Sequence, residues 1–517
     1  MLQCLLFPRP SRSLGTNRFV RGQCGVNRAS IAPGVGIDSN NLGLGMRGRF
    51  SVGWSAGIGM ALAVLPVFGG VPAVADTLEA ALTQTYVNNP TLNAQRALVR
   101  ATDENVPQAL SGYRPRVSIT ATGGEVSSST TSKVTSTNPA TYSTLSGYNS
   151  PVSVGATISQ TLFNGFQTAN RTRQAEAQVL AARENLRATE QSTLLSAVTA
   201  YMNLLRDTAI LDLQRRNVEV LQEQLRQTRD RFNVGEVTRT DVAQSESSLA
   251  AGRSSVLTAE SNYKTSAAVY RQVIGVDPGK LAAASPVDRY SPTSLAAAIS
   301  TGSAIHPSIT AAQFNIDTAL QAVKVAEGAL YPTVGVQGSF TKNYLSSQSL
   351  STMESYNASV LGTLTIPVYQ GGSEYSLIRQ TKETLGQRRI EMDTAREQVR
   401  QTIVQSWGQL EAAKGNIEAT QAQVQSSEIA LNGVREEARV GQRTTLDVLN
   451  AQQALVNARV SLVSAQRDRV VASYALLSAV GRLSAQVLGL RAPTYNPKVH
   501  YEQVRDSWAG VRTPDGR

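Results

Sequence analysis

The stretch Val440-Gly441-Gln442-Arg443-Thr444-Thr445-Leu446-Asp447-Val448-Leu449-Asn450 decides the fold. Patterns of helical period flank it on both sides, so it reads as a tight turn joining two long helices. A weaker copy, Val234-Gly235-Glu236-Val237-Thr238-Arg239-Thr240-Asp241-Val242, lies upstream, and 206 positions separate Gly235 from Gly441 and Asp241 from Asp447. The chain is one unit written twice, with this turn at the tip of each copy. Gly235 and Gly441 supply the positive φ that ends a helix without a Cβ penalty. Thr238 and Thr444 stand where the next helix needs its N-cap, and Asp241 and Asp447 follow at capping-box spacing. Capping alone is a sufficient role for these aspartates. A carboxylate ring at a pore mouth is the functional alternative, and it needs the whole architecture first.

Outward from the tip, a helix can run from Phe166 to Phe232 without meeting a proline, roughly 100 Å at 1.5 Å per residue. Ala197, Leu204, Leu211, Val218, Leu225 and Phe232 recur along it at seven-residue intervals. Ile403, Leu410, Ile417, Val424, Leu431 and Ala438 repeat that row in the second copy. Beyond the tips the rows resume as Val242, Leu249, Val256, Tyr263 and Tyr270, and as Val448, Leu455, Leu462, Arg469 and Leu476. A seven-residue apolar row predicts coiled-coil packing. The helices are expected to close near Gly275 and Gly481.

Before each hairpin the period falls to two. Val117, Ile119 and Ala121 alternate with Ser118, Thr120 and Thr122; Val152, Val154, Ala156 and Ile158 alternate with Ser153, Gly155, Thr157 and Ser159. Val334, Val336 and Phe340 begin a third strand, and Ala358, Val360, Leu364 and Ile366 form a fourth. Each strand has one apolar and one small polar face. The polar stretch from about Gly124 to Ser150 reads as a mobile surface loop. Short helices are expected over Thr77–Asn88 and Thr91 to about Leu110, interrupted at Asn89-Pro90, with His306-Pro307 as the second-copy echo and His306 as a helix-entry residue.

Composition bounds the function. The chain has 517 residues, a formal charge of +11, 2 cysteines and 5% aromatic residues. Met46-Arg47-Gly48-Arg49, the apolar run Val52 to Val67 and Ala73-Val74-Ala75 have the parts of a secretory signal peptide cleaved before Asp76, with Met46 the expected start. Seven arginines, one aspartate and both cysteines precede Asp76, so the exported chain carries +5 and no thiol. That leaves no disulfide, no lipidation cysteine and no support for nucleic-acid binding. With only His306 and His500 and no catalytic motif, an enzyme and a cofactor are not expected. The segments read as 1–75 extension and signal peptide, 76–292 first repeat, 293–490 second repeat, and 491–517 a polar tail expected to be largely disordered.

Four strands are long enough to cross a bilayer but cannot close a barrel, and open edges are not tolerated in lipid. Several chains would have to share one barrel, with the small polar residues lining a wet lumen. A soluble β-sandwich fits the same alternation, and a soluble periplasmic coiled-coil adaptor or structural protein is the alternative function. Such an adaptor would place one helical hairpin inside flanking β modules, whereas this chain has strand pairs before both hairpins.

Over roughly Thr77 to Leu488 the chain resembles the TolC family of outer-membrane efflux and secretion channels. The tip stretch Val440–Ala451, its copy at Val234–Val242, and the turns Leu162-Phe163-Asn164-Gly165 and Val368-Tyr369-Gln370-Gly371-Gly372 carry the resemblance. It implies a mainly α fold with a small membrane β part: a homotrimer sharing one β-barrel, continued by a coiled-coil α-helical periplasmic tunnel. The implied function is the exit duct of a tripartite efflux or type I secretion system, with a periplasmic adaptor (membrane fusion protein) and an inner-membrane ABC or RND transporter as partners. By position, Arg443 matches the family's gate arginine, and Gln224, Thr240 and Asp241 match its partners. Asp447 matches the first aspartate of a cation-binding ring. Two departures stand out: Asn450 replaces the second ring aspartate, and Ala438 replaces a gate tyrosine, which implies a weaker cation site and a looser closed state. The tip turns at Gly235, Glu236, Gly441 and Gln442 are the expected adaptor-docking surface.

Overall fold

The computed structural model describes residues 76–517 except 136–138, 140, 348–352, 515 and 517. The signal-peptide reading and the Met46 start fall outside the described residues. After Asp76 come α1 (Leu78–Asn88), α2 (Pro90–Asp103) and α3 (Asn105–Leu110), then β1 (Arg116–Gly123), β2 (Val126–Val134) and β3 (Thr141–Asn164). The first hairpin is α4 (Gln167–Asn233) and α5 (Arg239–Ile274). The second copy repeats the plan with α6 (Leu295–Ile305), α7 (Pro307–Gly328), β4 (Thr333–Ser347), β5 (Met353–Thr365), α8 (Ser373–Arg439) and α9 (Thr445–Ala479); α10 (Pro497–Val504) is the last helix among the described residues.

The repeat is visible at residue level. α4 and α8 are both 67 residues long. Gly235 and Gly441 sit at φ of 78° and 81°, and full capping boxes start α5 and α9. The seven-residue rows form the seams of the hairpins: Ala197, Leu204, Ile403, Leu410 and Leu476 are buried. Arg469, the charged member of its row, forms an ion pair with Asp288 instead of packing in a seam. Each hairpin packs α4 on α5 or α8 on α9, and the two hairpins meet along α4 and α9 while α7 lies between α4 and α8. Polar ties cross the α4–α9 contact, with Arg467 Nε donating to Asn203 at 2.9 Å and Gln452 to Asn217 at 3.3 Å.

The largest apolar core lies part-way along the hairpins, where α1 packs its Leu82 with Leu194, Tyr201, Tyr270 and Leu477. A second core sets Ala298 of α6 beside Ile403, Leu476 and Val480. His306 does serve as a helix-entry residue: it closes α6 and caps α7, its Nδ1 accepting from the Ser308 N–H at 3.2 Å.

Three expectations need correction. The stretch from Gly124 to Ser150 is largely strand: β2 pairs with the first part of β3 from Val126↔Asn149 to Val134↔Thr141. Serine and threonine satisfy a ladder as well as valine does, and hydroxyls bridge it, as in Thr131···Thr144 at 2.9 Å. The helix expected to run to Leu110 breaks at Glu104. The tail is ordered where it forms α10: Asn496 caps the helix, Pro497 takes its first position, and His500 Nδ1 lies 3.0 Å from the buried Asp103 carboxylate.

Candidate functional site: the sheet and the hairpin tips

The strands form one antiparallel sheet in the order β1-β3-β4-β5, with β2 extending β3 beyond β1. Register puts like with like. Val117 faces Ile158, Ala156 faces Phe340, and Gly338 faces Val360, so one surface carries the apolar side chains. These are exposed: Ile119 is 76% and Val360 79% accessible. The opposite surface carries Ser118, Thr120, Thr157, Ser339, Asn357 and Ser359, with hydroxyl contacts Thr122···Ser153 at 2.7 Å and Ser339···Ser359 at 2.8 Å. From Val334 to Tyr344 at about 3.4 Å per residue and a tilt near 40°, the apolar band is about 26 Å tall, the height of a barrel's lipid-facing band. At its outer end Lys342 pairs with Glu354 and lies 4.9 Å over the Tyr344 ring. At the helical end Tyr113, Phe166, Tyr331 and Tyr369 are exposed. Aromatic rings bounding an apolar band are the pattern of a membrane interface. Among the described residues no helix is long and apolar enough to cross a membrane.

About 100 Å away along the hairpins, the two tips enclose a cleft of about 880 Å³. Gln224, Asp241 and Arg443 line it together with Glu236, Gly441 and Thr444. Thr240 and Asn450 are exposed and outside its lining; Gly235 and Gln442 are exposed at the turns. Arg443 Nε donates to Glu437 at 2.8 Å, within its own hairpin, a partner that sequence matching did not name; Gln224 and Asp241 share the cleft lining with it. The first tip has the same device with reversed polarity, since Arg231 Nε donates to Glu236 at 3.1 Å. Opposite charges flanking the turn glycine in both copies are the sequence signal for these pairs. A further tie recurs between helices of each hairpin, Arg229 with Glu246 at 2.5 Å and Arg435 with Gln452 at 3.0 Å.

Asp447 Oδ2 accepts from the Thr444 N–H at 3.0 Å and from its hydroxyl at 2.9 Å. Those hydrogen bonds, with the nearby Arg443 charge, hold its carboxyl below the usual range. Within one chain this is opposite to the upward shift expected of clustered carboxylates. Among the described residues no group of three or more His, Cys, Asp or Glu gathers to hold a metal; one chain contributes one Asp447.

Exposed apolar strands bounded by aromatics, hydroxyl-bearing on the reverse and continuous with the twice-repeated hairpins, point to a membrane channel. The family model described as "Outer membrane efflux protein" matches residues 81–276 and 299–482. The chain belongs to the outer membrane efflux protein family. Outer membrane efflux protein BepC of Brucella suis is 44% identical over 453 residues, 87% of this chain and 95% of its own length. Outer membrane protein TolC of Escherichia coli is 27% identical over 58% of this chain and 63% of its own. The alkaline protease secretion protein AprF of Pseudomonas aeruginosa is 25% identical over 67% and 73%. The CmeC outer membrane channel of Campylobacter jejuni shares the fold with a TM-score of 0.66 at 16% identity, covering 83% of this chain and 89% of that one. This member of the family is therefore an outer-membrane efflux or secretion channel protein, with its strands in the membrane and its helices in the periplasm.

Proposed function

We propose that three copies of the chain close one barrel and one tunnel, forming the exit duct of a tripartite efflux or type I secretion system. The observation that carries this is the sheet's two free edges. With four strands across the sheet, β1 and β5 run in opposite directions, so β5 of one copy can pair antiparallel with β1 of the next. Repetition then yields an even-stranded closed barrel without an edge in lipid. The hydroxyl-bearing surface faces the lumen and substrates pass through untransformed.

In this reading the tips are the gate and the docking end. The cleft between hairpins, with Gln224, Asp241 and Arg443 on its walls, is where the inner and outer coiled coils separate on opening; Thr240 and Asn450 flank it. Three Asp447 carboxylates around the axis attract cations in a narrow, low-dielectric mouth. The exposed turns Gly235–Glu236 and Gly441–Gln442 receive a periplasmic adaptor, which links the duct to an inner-membrane ABC or RND transporter.

The test is planar-bilayer conductance of the purified chain beginning at Asp76, with divalent cation added on the tip side. Small, stable steps that the cation blocks are expected. Folded, helical protein giving no conductance would defeat the barrel reading.

A further inference from the structure

The tail beyond the second repeat has a direction. The Tyr495 N–H donates to Tyr86 Oη of α1 at 3.1 Å, and His500 meets Asp103 at the end of α2. Arg505 reaches Glu176 of α4 at 3.9 Å. Arg114 Nη1 then donates to the Ser507 carbonyl at 2.6 Å, and its guanidinium lies 4.7 Å from the Trp508 ring centre. The partners 86, 103 and 114 climb steadily toward β1, so the tail runs up the bundle to the base of the sheet. Val504, buried at 4% exposure, and the Arg183–Tyr501 stacking at 5.1 Å hold the middle of the climb.

What arrives at the top is exposed. Trp508 is 72% and Val511 100% accessible, although both are apolar. Arg114 lies three residues before Val117, the first residue of the apolar band, a vertical separation of about 8 Å at 3.4 Å per residue and a 40° tilt. The layer between a bilayer's hydrocarbon core and bulk water is about 5–8 Å thick on each side. Trp508 therefore sits at the level of Tyr113, Phe166, Tyr331 and Tyr369. Arg114, Arg116, Arg505 and Arg512 surround it against two carboxylates, Asp506 and the Glu176 that Arg505 reaches, a net positive balance that favours lipid phosphates.

We propose that residues 505–512 form a strap that docks on the phospholipid headgroup layer of the periplasmic leaflet, with Trp508 as its anchor and Arg114 as the bracket that presents it. An indole with one face on a guanidinium and the rest open suits that layer, being apolar in body and polar at its N–H. The strap thereby fastens the C-terminus to both the barrel base and the lipid. This rests on the sheet being the membrane-spanning part.

The experiment uses the chain beginning at Asp76, which contains two tryptophans, Trp407 and Trp508. Trp407→Phe leaves Trp508 as the only reporter. It is reconstituted into phosphatidylcholine–phosphatidylglycerol vesicles with bromines either near the carbonyl end or deep in the chains. Trp508 emission is expected to lie to the blue of a water-exposed indole and to lose most of its intensity to the shallow bromines and little to the deep ones. Arg114→Ala in the same background is expected to lose that quenching. Emission of Trp508 that ignores both bromine positions overturns the strap. A companion protein, Phe340→Trp with Trp407→Phe and Trp508→Phe, separates the two failures. Deep quenching of that tryptophan with Trp508 unquenched removes the strap alone; no quenching of it removes the membrane-spanning sheet and the strap together.

Discussion

A Cβ built on Gly302 of α6 would overlap Cδ1 of the fully buried Ile403 of α8, while its next neighbours, Ile403 Cγ1 and Val480 Cα, lie at 3.6 Å. One methyl group therefore occupies the hole that one glycine leaves. Gly302→Ala overpacks the contact at about 1–3 kcal/mol, offset by up to about 1 kcal/mol of helix propensity. Ile403→Val deletes Cδ1 and costs about 0.5–1.5 kcal/mol. In the double variant the added Cβ meets only ordinary contacts at 3.6 Å, so most of the overpacking cost disappears. The expected coupling is about 1–3 kcal/mol in the stabilising direction. Hydrogen exchange of α6 amides in the reconstituted protein reads this directly, since 2 kcal/mol corresponds to exchange about 30-fold faster where local opening limits it. Gly302→Ala should lose protection and Gly302→Ala/Ile403→Val should regain it, with conductance unchanged. If the double variant exchanges as fast as the product of the single effects, α6 does not pack against α8 in this way and the second core is wrongly described.

Arg443→Ala, which frees Glu437 and removes a charge from the cleft, is expected to raise single-channel conductance, whereas Asp447→Ala should abolish cation block; Arg443→Ala with unchanged conductance would remove the gate role of that residue. Val360→Lys places a charge mid-band on the lipid side at about 2–4 kcal/mol per chain and should reduce barrel assembly on heat-modifiability gels, while Ser359→Lys, one residue earlier, should assemble normally; equal defects would mean that the two faces do not divide between lipid and lumen in this way. Burial raises the Asp103 carboxyl above its usual value, with His500, Arg183 and Arg100 acting against that rise. A raised native value contributes stability that is full below the unfolded value and fades as pH climbs through the native one. Protection of α10, corrected for intrinsic exchange, should fall with rising pH above the ordinary carboxylate range, and Asp103→Asn should flatten this profile. Protection that rises with pH in the unaltered chain would contradict it.

The hairpins were legible because coiled-coil seams and capped turns leave local, periodic marks. Gly235, Thr238 and Asp241 each do one short-range job, and their copies at Gly441, Thr444 and Asp447 do it again. β2 left no such mark. Both its faces are polar, so the alternation that betrays Val117–Ala121 is absent, and only pairing with β3 reveals it. α10 did carry a signal, Asn496-Pro497 matching Asn89-Pro90, but its docking depends on Asp103 lying almost 400 residues away in sequence. At the tips, sequence matching named Gln224, Asp241 and Arg443, which line the cleft, and Thr240 and Asn450, which lie outside its lining. It could not assign Arg443 to Glu437, because that choice turns on side-chain reach across a turn.

The opposed polarity of the tip ion pairs has a consequence for assembly. Arg231 and Glu437 occupy equivalent places in the two repeats, as do Val237 and Arg443. Were the tips alike in charge, a ring of them would present a visiting protein with twice as many indistinguishable settings as there are chains. Reversing the sign at alternate tips halves that number. In the proposed trimer a visitor displaced by one tip would meet like charge against like, so the ring works as a keyed coupling whose orientation is set before any close packing begins.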